Sequence, residues 1–204
     1  MTAETRAKTR DKILEAACRL IASQGFDGTT TRDIATEAGI ATGTLFNYYP
    51  SKEALGMSLL SAALERADAG FRASRRGDES LEELLFAHII AGLRSLAPYR
   101  QTVGPIVESG LSPFTADSAS IGQRLRAEHL ETVANLIAEH DAMPAPSFVA
   151  MHLYWTLYLG VLAFWSGDPS PNQEDTLVVL DQSLRLFVSS LLTDTQMKEV
   201  SRGT

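Results

Sequence analysis

Residues 25–52, GFDGTTTRDIATEAGIATGTLFNYYPSK, decide how this chain is to be read. They predict two short helices joined by a glycine turn. The first helix opens at Thr30, whose hydroxyl can accept from the backbone N–H of Asp33 while the Asp33 carboxylate reaches back, a reciprocal N-terminal cap. It ends at Gly39, because glycine takes the left-handed backbone that a sharp exit needs. Ala35 is small enough for a second helix to cross closely, and Ile40 and Leu45 supply apolar pins beneath the crossing. The second helix is expected at about 42–48, with Thr42, Gly43, Thr44 and Asn47 on its outward face. Short hydroxyls, a glycine and an amide suit an approach to base edges, since bulky side chains would hold the backbone off a groove floor. A helix only about 10 Å long is not stable alone. It must be held by packing, as a presented element is, and the whole layout is that of a helix-turn-helix DNA reader.

The stretch TTTRDIATEAGIATGTLFNYYPSKEAL, residues 29–55, resembles the N-terminal signature of the TetR family of one-component transcriptional regulators, with the likeness running over about residues 8–60. The resemblance implies phosphate contacts at Thr31, Tyr48 and Lys52, and base-reading positions at Arg32, Thr42, Gly43, Thr44 and Asn47. Each transfer makes chemical sense. Lys52 offers a point charge, Tyr48 a hydroxyl, and Arg32 a fork that matches guanine O6 and N7. The chain departs from the pattern at Ala41, where Ser is frequent and would cap the second helix, and at Phe46, where Tyr is common.

Charge qualifies this reading. Residues 1–60 carry seven Lys/Arg against seven Asp/Glu, so the net charge of −7 lies wholly in the rest of the chain. A strongly basic head is thereby excluded. The positives are bunched at Arg6, Lys8, Arg10 and Lys12, with Arg32 and Lys52 beside the reader. Binding through a few placed contacts, with a moderate salt dependence, is the expectation. The one cysteine, Cys18, excludes an internal disulfide and stands beside the apolar stripe Ile13, Leu14, Ala17, Leu20 and Ile21, where it reads as a small core side chain. The charged opening twelve residues give no sign of a secretory leader, so a cytoplasmic location is expected. Residues 148–165 lack Lys, Arg, Asp and Glu, but His152 and Thr156 interrupt them; a helix buried on most sides is expected there, not a membrane span.

The remainder predicts helices throughout, for an all-α fold of about nine helices. Ser51 caps a long helix to about residue 75, striped by Leu55, Leu59, Ala63, Ala67 and Phe71. Ser80 with Glu83 forms a capping box for the next, which ends before Pro98. Further helices are expected at about 99–108, 118–140 and 146–167, and Asn172 with Asp175 is expected to cap the last. The expected organisation is a DNA-binding head at 1–52 and a helical effector-binding and dimerisation body at 53–204.

The last two helices, at about 146–166 and 173–192, carry more large apolar side chains than one core face needs: Leu153, Leu157 and Val161 on one side, Trp155, Leu159 and Leu162 on another. With the resemblance, this implies a homodimer through those helices. A dimer would read an inverted-repeat operator in double-stranded DNA. The resemblance also implies a pocket for a small organic effector among the middle helices, with Phe86, His88, Tyr99, Phe114, His152, Trp155 and Tyr158 as candidate lining residues. His152 draws attention as the one imidazole in the apolar helix. Two other readings stand beside this one: a helical carrier or enzyme with a non-functional DNA-binding motif, and a DNA-binding protein with no effector. No histidine lies three residues after a glutamate, and no HExxH, Gly-x-Ser-x-Gly or phosphate-binding loop occurs. No enzyme activity, cofactor or metal is therefore expected.

Overall fold

A computed structural model describes residues 3–100, 103, 121–140 and 145–202, the side chains at 3, 121 and 193–202 excepted. Every regular element among them is helical, with eight α-helices and two 3-10 turns. The chain divides into two compact units. The first takes in Met1–Glu65 and Ser95–Gln123. Its α1 (Ala3–Gly28) buries Ile13, Ala16, Ala17 and Ile21 on one stripe and breaks at Gly25, whose φ of 77° is left-handed. Next come α2 (Thr31–Glu37), α3 (Thr42–Phe46) and the start of α4 (Lys52–Ser74). Residues 55–60 of α4 are buried without exception, so the helix is enclosed there on all sides. That is why this unit reaches past residue 52: its core needs the first half of α4, fixed further by the Ser95 hydroxyl donating to the Ala63 carbonyl at 2.7 Å. Tyr99, in a 3-10 turn at Ala97–Tyr99, is buried in the same unit with its hydroxyl 2.9 Å from the Cys18 sulfur. Cys18 is accordingly half-buried and polar-bonded, not a plain apolar filler.

The second unit comprises Arg66–Arg94 and Arg124–Thr204. It holds the end of α4, nearly all of α5 (Leu81–Leu96) and α6 (Ile121–Glu139), and the whole of α7 (Phe148–Gly167) and α8 (Glu174–Arg202). The expected capping box starts α5: Ser80 N–H donates to Glu83 at 2.8 Å and Glu83 N–H to Ser80 Oγ at 3.2 Å. Ser147 caps α7 by accepting from Ala150 N–H at 3.1 Å. The expected short helix at about 99–108 lies almost wholly outside the described residues.

Two expectations need correction here. Asn172 does not cap the last helix, because it sits at a left-handed φ of 52° inside the turn Pro171–Gln173. Asp168 does that work: buried at 4% exposure, it accepts from the N–H groups of Ser170 and Thr176 at 2.8 and 2.9 Å and from the Thr176 hydroxyl. The Thr176 hydroxyl bond leads the hydrogen bonds that hold this carboxyl well below the usual aspartate range. Second, α7 is not buried on most sides. It is the one helix among the described residues long and apolar enough to cross a membrane, yet only its Tyr154, Trp155, Tyr158, Val161, Leu162 and Trp165 side faces inward. Leu153, expected beside Val161, instead shares an outer face with Val149 and Phe164, while Phe148 and Val149 are 83% and 73% exposed. At about 100° per residue, Leu153 lies about 80° around the helix from Val161, which stands at the margin of the buried arc, so the offset carries Leu153 past that margin.

Candidate nucleic-acid interface and buried ring cluster

Backbone chemistry places the reader. Thr30 N–H donates to Asp33 Oδ2 at 3.1 Å and Asp33 N–H to Thr30 Oγ1 at 3.1 Å, the predicted reciprocal cap. The bond from the Thr30 side chain is the largest cause holding the Asp33 carboxyl below its ordinary value. At the other end of α2, Gly39 takes a φ of 69°, Ile40 N–H returns to Ala35 O at 2.9 Å and Gly39 N–H to Thr36 O at 3.1 Å. These paired bonds close the helix as a Schellman motif. Arg19 of α1 bonds Glu37 of α2 at 3.0 Å.

The second helix is shorter than expected, five residues with Asn47 as its C-cap. Ala41 provides no side-chain cap, as the departure from serine implied. Leu45 is the fully buried pin, but Ile40 is only half-buried. The second anchor is Tyr49, 1% exposed, whose hydroxyl accepts from Arg10 Nε at 3.2 Å. Sequence reasoning missed it; a tyrosine four residues after a buried leucine was the available signal. On the outer side, Arg32, Gly43 and Asn47 are exposed and Thr31, Thr42 and Thr44 half-buried. A Cβ added at Gly43 would meet nothing within 4 Å. Packing inside the chain therefore does not demand glycine there; room is left open in front of α3.

Two residues expected at phosphates are engaged otherwise. The Tyr48 hydroxyl is buried without a hydrogen-bond partner, and the Arg6 guanidinium lies 5.9 Å from the centre of its ring. Lys52 Nζ donates to the Phe26 carbonyl at 2.9 Å and sits 4.4 Å over the Phe26 ring, so its charge complements the carbonyl end of α1.

The residues expected to line a pocket separate into four places. His88, Trp155 and Tyr158 belong to one buried ring cluster in the second unit, centred on His129. Tyr99 lies in the first unit beside Cys18. Phe86 lines an open cleft of about 440 Å³ with Phe71, Arg75, Glu82 and Leu184. His152 is exposed, stacked 6.2 Å from exposed Phe148, because it lies on the outer side of α7; its expected pocket role is not supported. Phe114 lies outside the described residues.

The histidine at the centre of the ring cluster is His129, half-buried, which sequence reasoning passed over. It sits on the stripe Leu125, His129, Val133 and Ile137, at four-residue spacing among buried apolar residues, and that register was the signal. Its ring stacks 4.2 Å from Tyr158 and lies 5.2 Å from His88, and its Nε2 is 2.9 Å from the Tyr154 hydroxyl. Burial, then the neighbouring His88, holds His129 well below the ordinary histidine value. Burial also lowers His88, against the pull of Asp68. It raises the Tyr154 and Tyr158 phenols well above theirs. All four rings are uncharged at neutral pH.

The family model of bacterial regulatory proteins of the tetR family matches residues 13–56. Over 84 residues the chain is 34% identical to the HTH-type transcriptional repressor KstR of Mycolicibacterium smegmatis, covering 41% of each chain. Over 134 residues it is 22% identical to the HTH-type transcriptional regulator YuxN of Bacillus subtilis, covering 63% of this chain and 46% of YuxN. The chain thus spans less than half the length of these curated relatives. A TetR transcriptional regulator from Rhodococcus sp. RHA1 has the same fold, with a TM-score of 0.71 at 20% identity over 89% of this chain and 97% of that one. So does Thermus thermophilus FadR, a TetR-family repressor solved with lauroyl-CoA, at 0.61 and 23% over 88% and 93%. The capped α2, the left-handed turn and the pinned α3 all fall inside the matched residues, so residues 13–56 carry the N-terminal helix-turn-helix of the tetR family of bacterial regulatory proteins.

Proposed function

We infer that this chain is a transcriptional regulator that binds an inverted-repeat operator in double-stranded DNA as a homodimer, acts as a repressor, and is released by a small organic effector. One observation carries the reading: α3 is pinned from behind by Leu45 while Thr42, Gly43 and Thr44 look outward with open space before Gly43. A side chain that packing does not exclude is missing where a helix would approach base edges. Residues 1–52 act as the reader and 53–204 as the body. Arg32 and Asn47 join the base-reading set, and Thr31 contacts phosphate. Lys52 would reach phosphate only by leaving the Phe26 carbonyl, and Tyr48 only by uncovering its buried hydroxyl. Relatives named as regulators and repressors favour this reading over a carrier or an enzyme.

The outer faces of the last two helices support the homodimer. Val149, Leu153 and Phe164 on α7, and Leu177, Val178, Leu186 and Leu192 on α8, are exposed apolar residues within one unit. A patch of that kind marks an association surface. The lauroyl-CoA of FadR supports an organic effector for a body of this fold without fixing its chemistry. A ligand that prefers one arrangement of the body shifts DNA affinity through α4, which starts in the first unit and ends in the second.

Selection of binding sites from random duplex DNA at about physiological salt tests the reading, with an Arg32→Ala, Thr44→Ala double variant alongside. These two are chosen because Lys52→Ala would also loosen the end of α1. Wild-type recovery of an inverted repeat, lost in the variant, is expected. Failure of the wild type to enrich any sequence would overturn the assignment.

A further inference from the structure

Buried polar atoms without partners are rare in folded proteins and call for an occupant. Among the described residues three such atoms gather around the ring cluster of the second unit: Asp68 Oδ1, His88 Nε2 and Trp155 Nε1. The His88 and Trp155 side chains are 10% and 1% exposed. Both rings flank His129, at 5.2 and 6.0 Å between centres.

Their chemistry is complementary. His88 Nδ1 is the nitrogen turned to the Asp68 carboxylate, 3.9 Å away, and the field of that carboxylate favours the imidazole proton on Nδ1. His88 Nε2 is then a lone-pair acceptor, whereas the Trp155 indole is a donor only. A hydroxyl, which donates and accepts through one oxygen, answers both. The flat faces of His129, Tyr154, Trp155 and Tyr158 favour a planar ring beside it. Charge is already accounted for: Asp68 pairs with Arg72 at 2.9 Å, and the Arg126 guanidinium lies 5.5 Å over the Trp155 ring. Phe71 stands between the cluster and the cleft of about 440 Å³, lining the cleft on one side and meeting the His88 ring edge-on at 5.2 Å on the other.

We propose that this cluster binds an uncharged, planar ring compound through a hydroxyl group that donates to His88 Nε2 and accepts from Trp155 Nε1. The assignment rests on the reading of the chain as an effector-controlled regulator and supplies the effector's chemical class.

Calorimetric titration of the full chain with 2-naphthol, naphthalene and 2-naphthoate tests it. The naphthol is expected to bind at least about tenfold more tightly than either of the others, the size of one well-made hydrogen bond. Trp155→Phe and His88→Phe, each keeping a ring and removing the polar atom, are expected to reduce naphthol affinity about tenfold and leave naphthalene unchanged. Absent naphthol binding, equal affinity for naphthol and naphthalene, tighter naphthoate binding, or folded variants that bind naphthol as the wild type does would each overturn the proposal. The wild-type probe series decides alone if a variant does not fold. Operator selection by the same protein separates the two readings. Sequence-specific DNA binding without a preference for naphthol removes the ligand class and keeps the regulator; preference for naphthol without DNA binding does the reverse.

Discussion

Helices α3 and α7 are opposites in what they leave outside. The five residues of α3 lack a side-chain cap, bury Leu45 and present hydroxyls and a glycine. The twenty residues of α7 are capped by Ser147, bury an aromatic side and leave apolar residues in water. The first has too little burial to stand by itself and is held in place by its neighbours, as a presented element must be. The second has more apolar surface than its own unit can cover. Exposed small polar groups on a weak helix suit the proposed groove of bases, and exposed apolar groups on a strong one suit the proposed like surface.

The comparison breaks most sharply at the pin. Leu45→Ala is expected to cost about 2–5 kcal/mol, because the lost side chain is wholly buried and a cavity remains. Urea unfolding should show the loss, and a cost below about 1 kcal/mol would mean that α3 is not held by Leu45. On α7, Leu153→Glu with Phe164→Glu should leave each chain folded and weaken self-association by roughly a hundredfold or more, since charges would be buried without partners. Sedimentation across concentration reads this directly. An unchanged dimer would move the interface elsewhere.

Smaller changes sharpen the contrast. Thr30→Ala removes the α2 cap and is expected to cost about 1 kcal/mol. Ala41→Ser should give α3 the cap it lacks and stabilise it by a few tenths to about 1 kcal/mol, read by hydrogen exchange at Leu45 and Phe46. Protonation supplies the last test. His88 and His129 titrate below the ordinary value of 6.5, with His88 and His129 facing one another, Asp68 and Arg72 on the His88 side, and Tyr154 and Tyr158 on the His129 side. The unfolded chain therefore takes up protons first as pH falls. The stability due to the two rings is complete above about pH 6.5 and is lost as pH falls from there through their folded values. Melting temperature followed from about pH 8 downward should decline in that window, and His129→Gln should flatten part of the slope. An identical slope in the variant would remove His129 from the account.

The sequence determined what depends on neighbours along the chain. Thr30 and Asp33, Ser80 and Glu83, and Gly39 act over a few residues through backbone groups whose geometry any helix end repeats, so the caps and the turn were legible before any packing was known. The helix-turn-helix layout followed from them. Tertiary structure decided which face of each helix is covered, because a helical stripe fixes relative register but not the neighbour it meets. In the sequence His152 stands in an uncharged apolar stretch, whereas His129 is flanked by Arg126, Glu128 and Glu131. Only packing sends the first to the exposed side of α7 and sets the second against the rings of Tyr154, Trp155 and Tyr158. Tyr49 likewise becomes an anchor only because Arg10, distant in the chain, reaches its hydroxyl. Asp168 caps α8 because a left-handed turn at Asn172 folds the chain back on it, a contact no local pattern specifies.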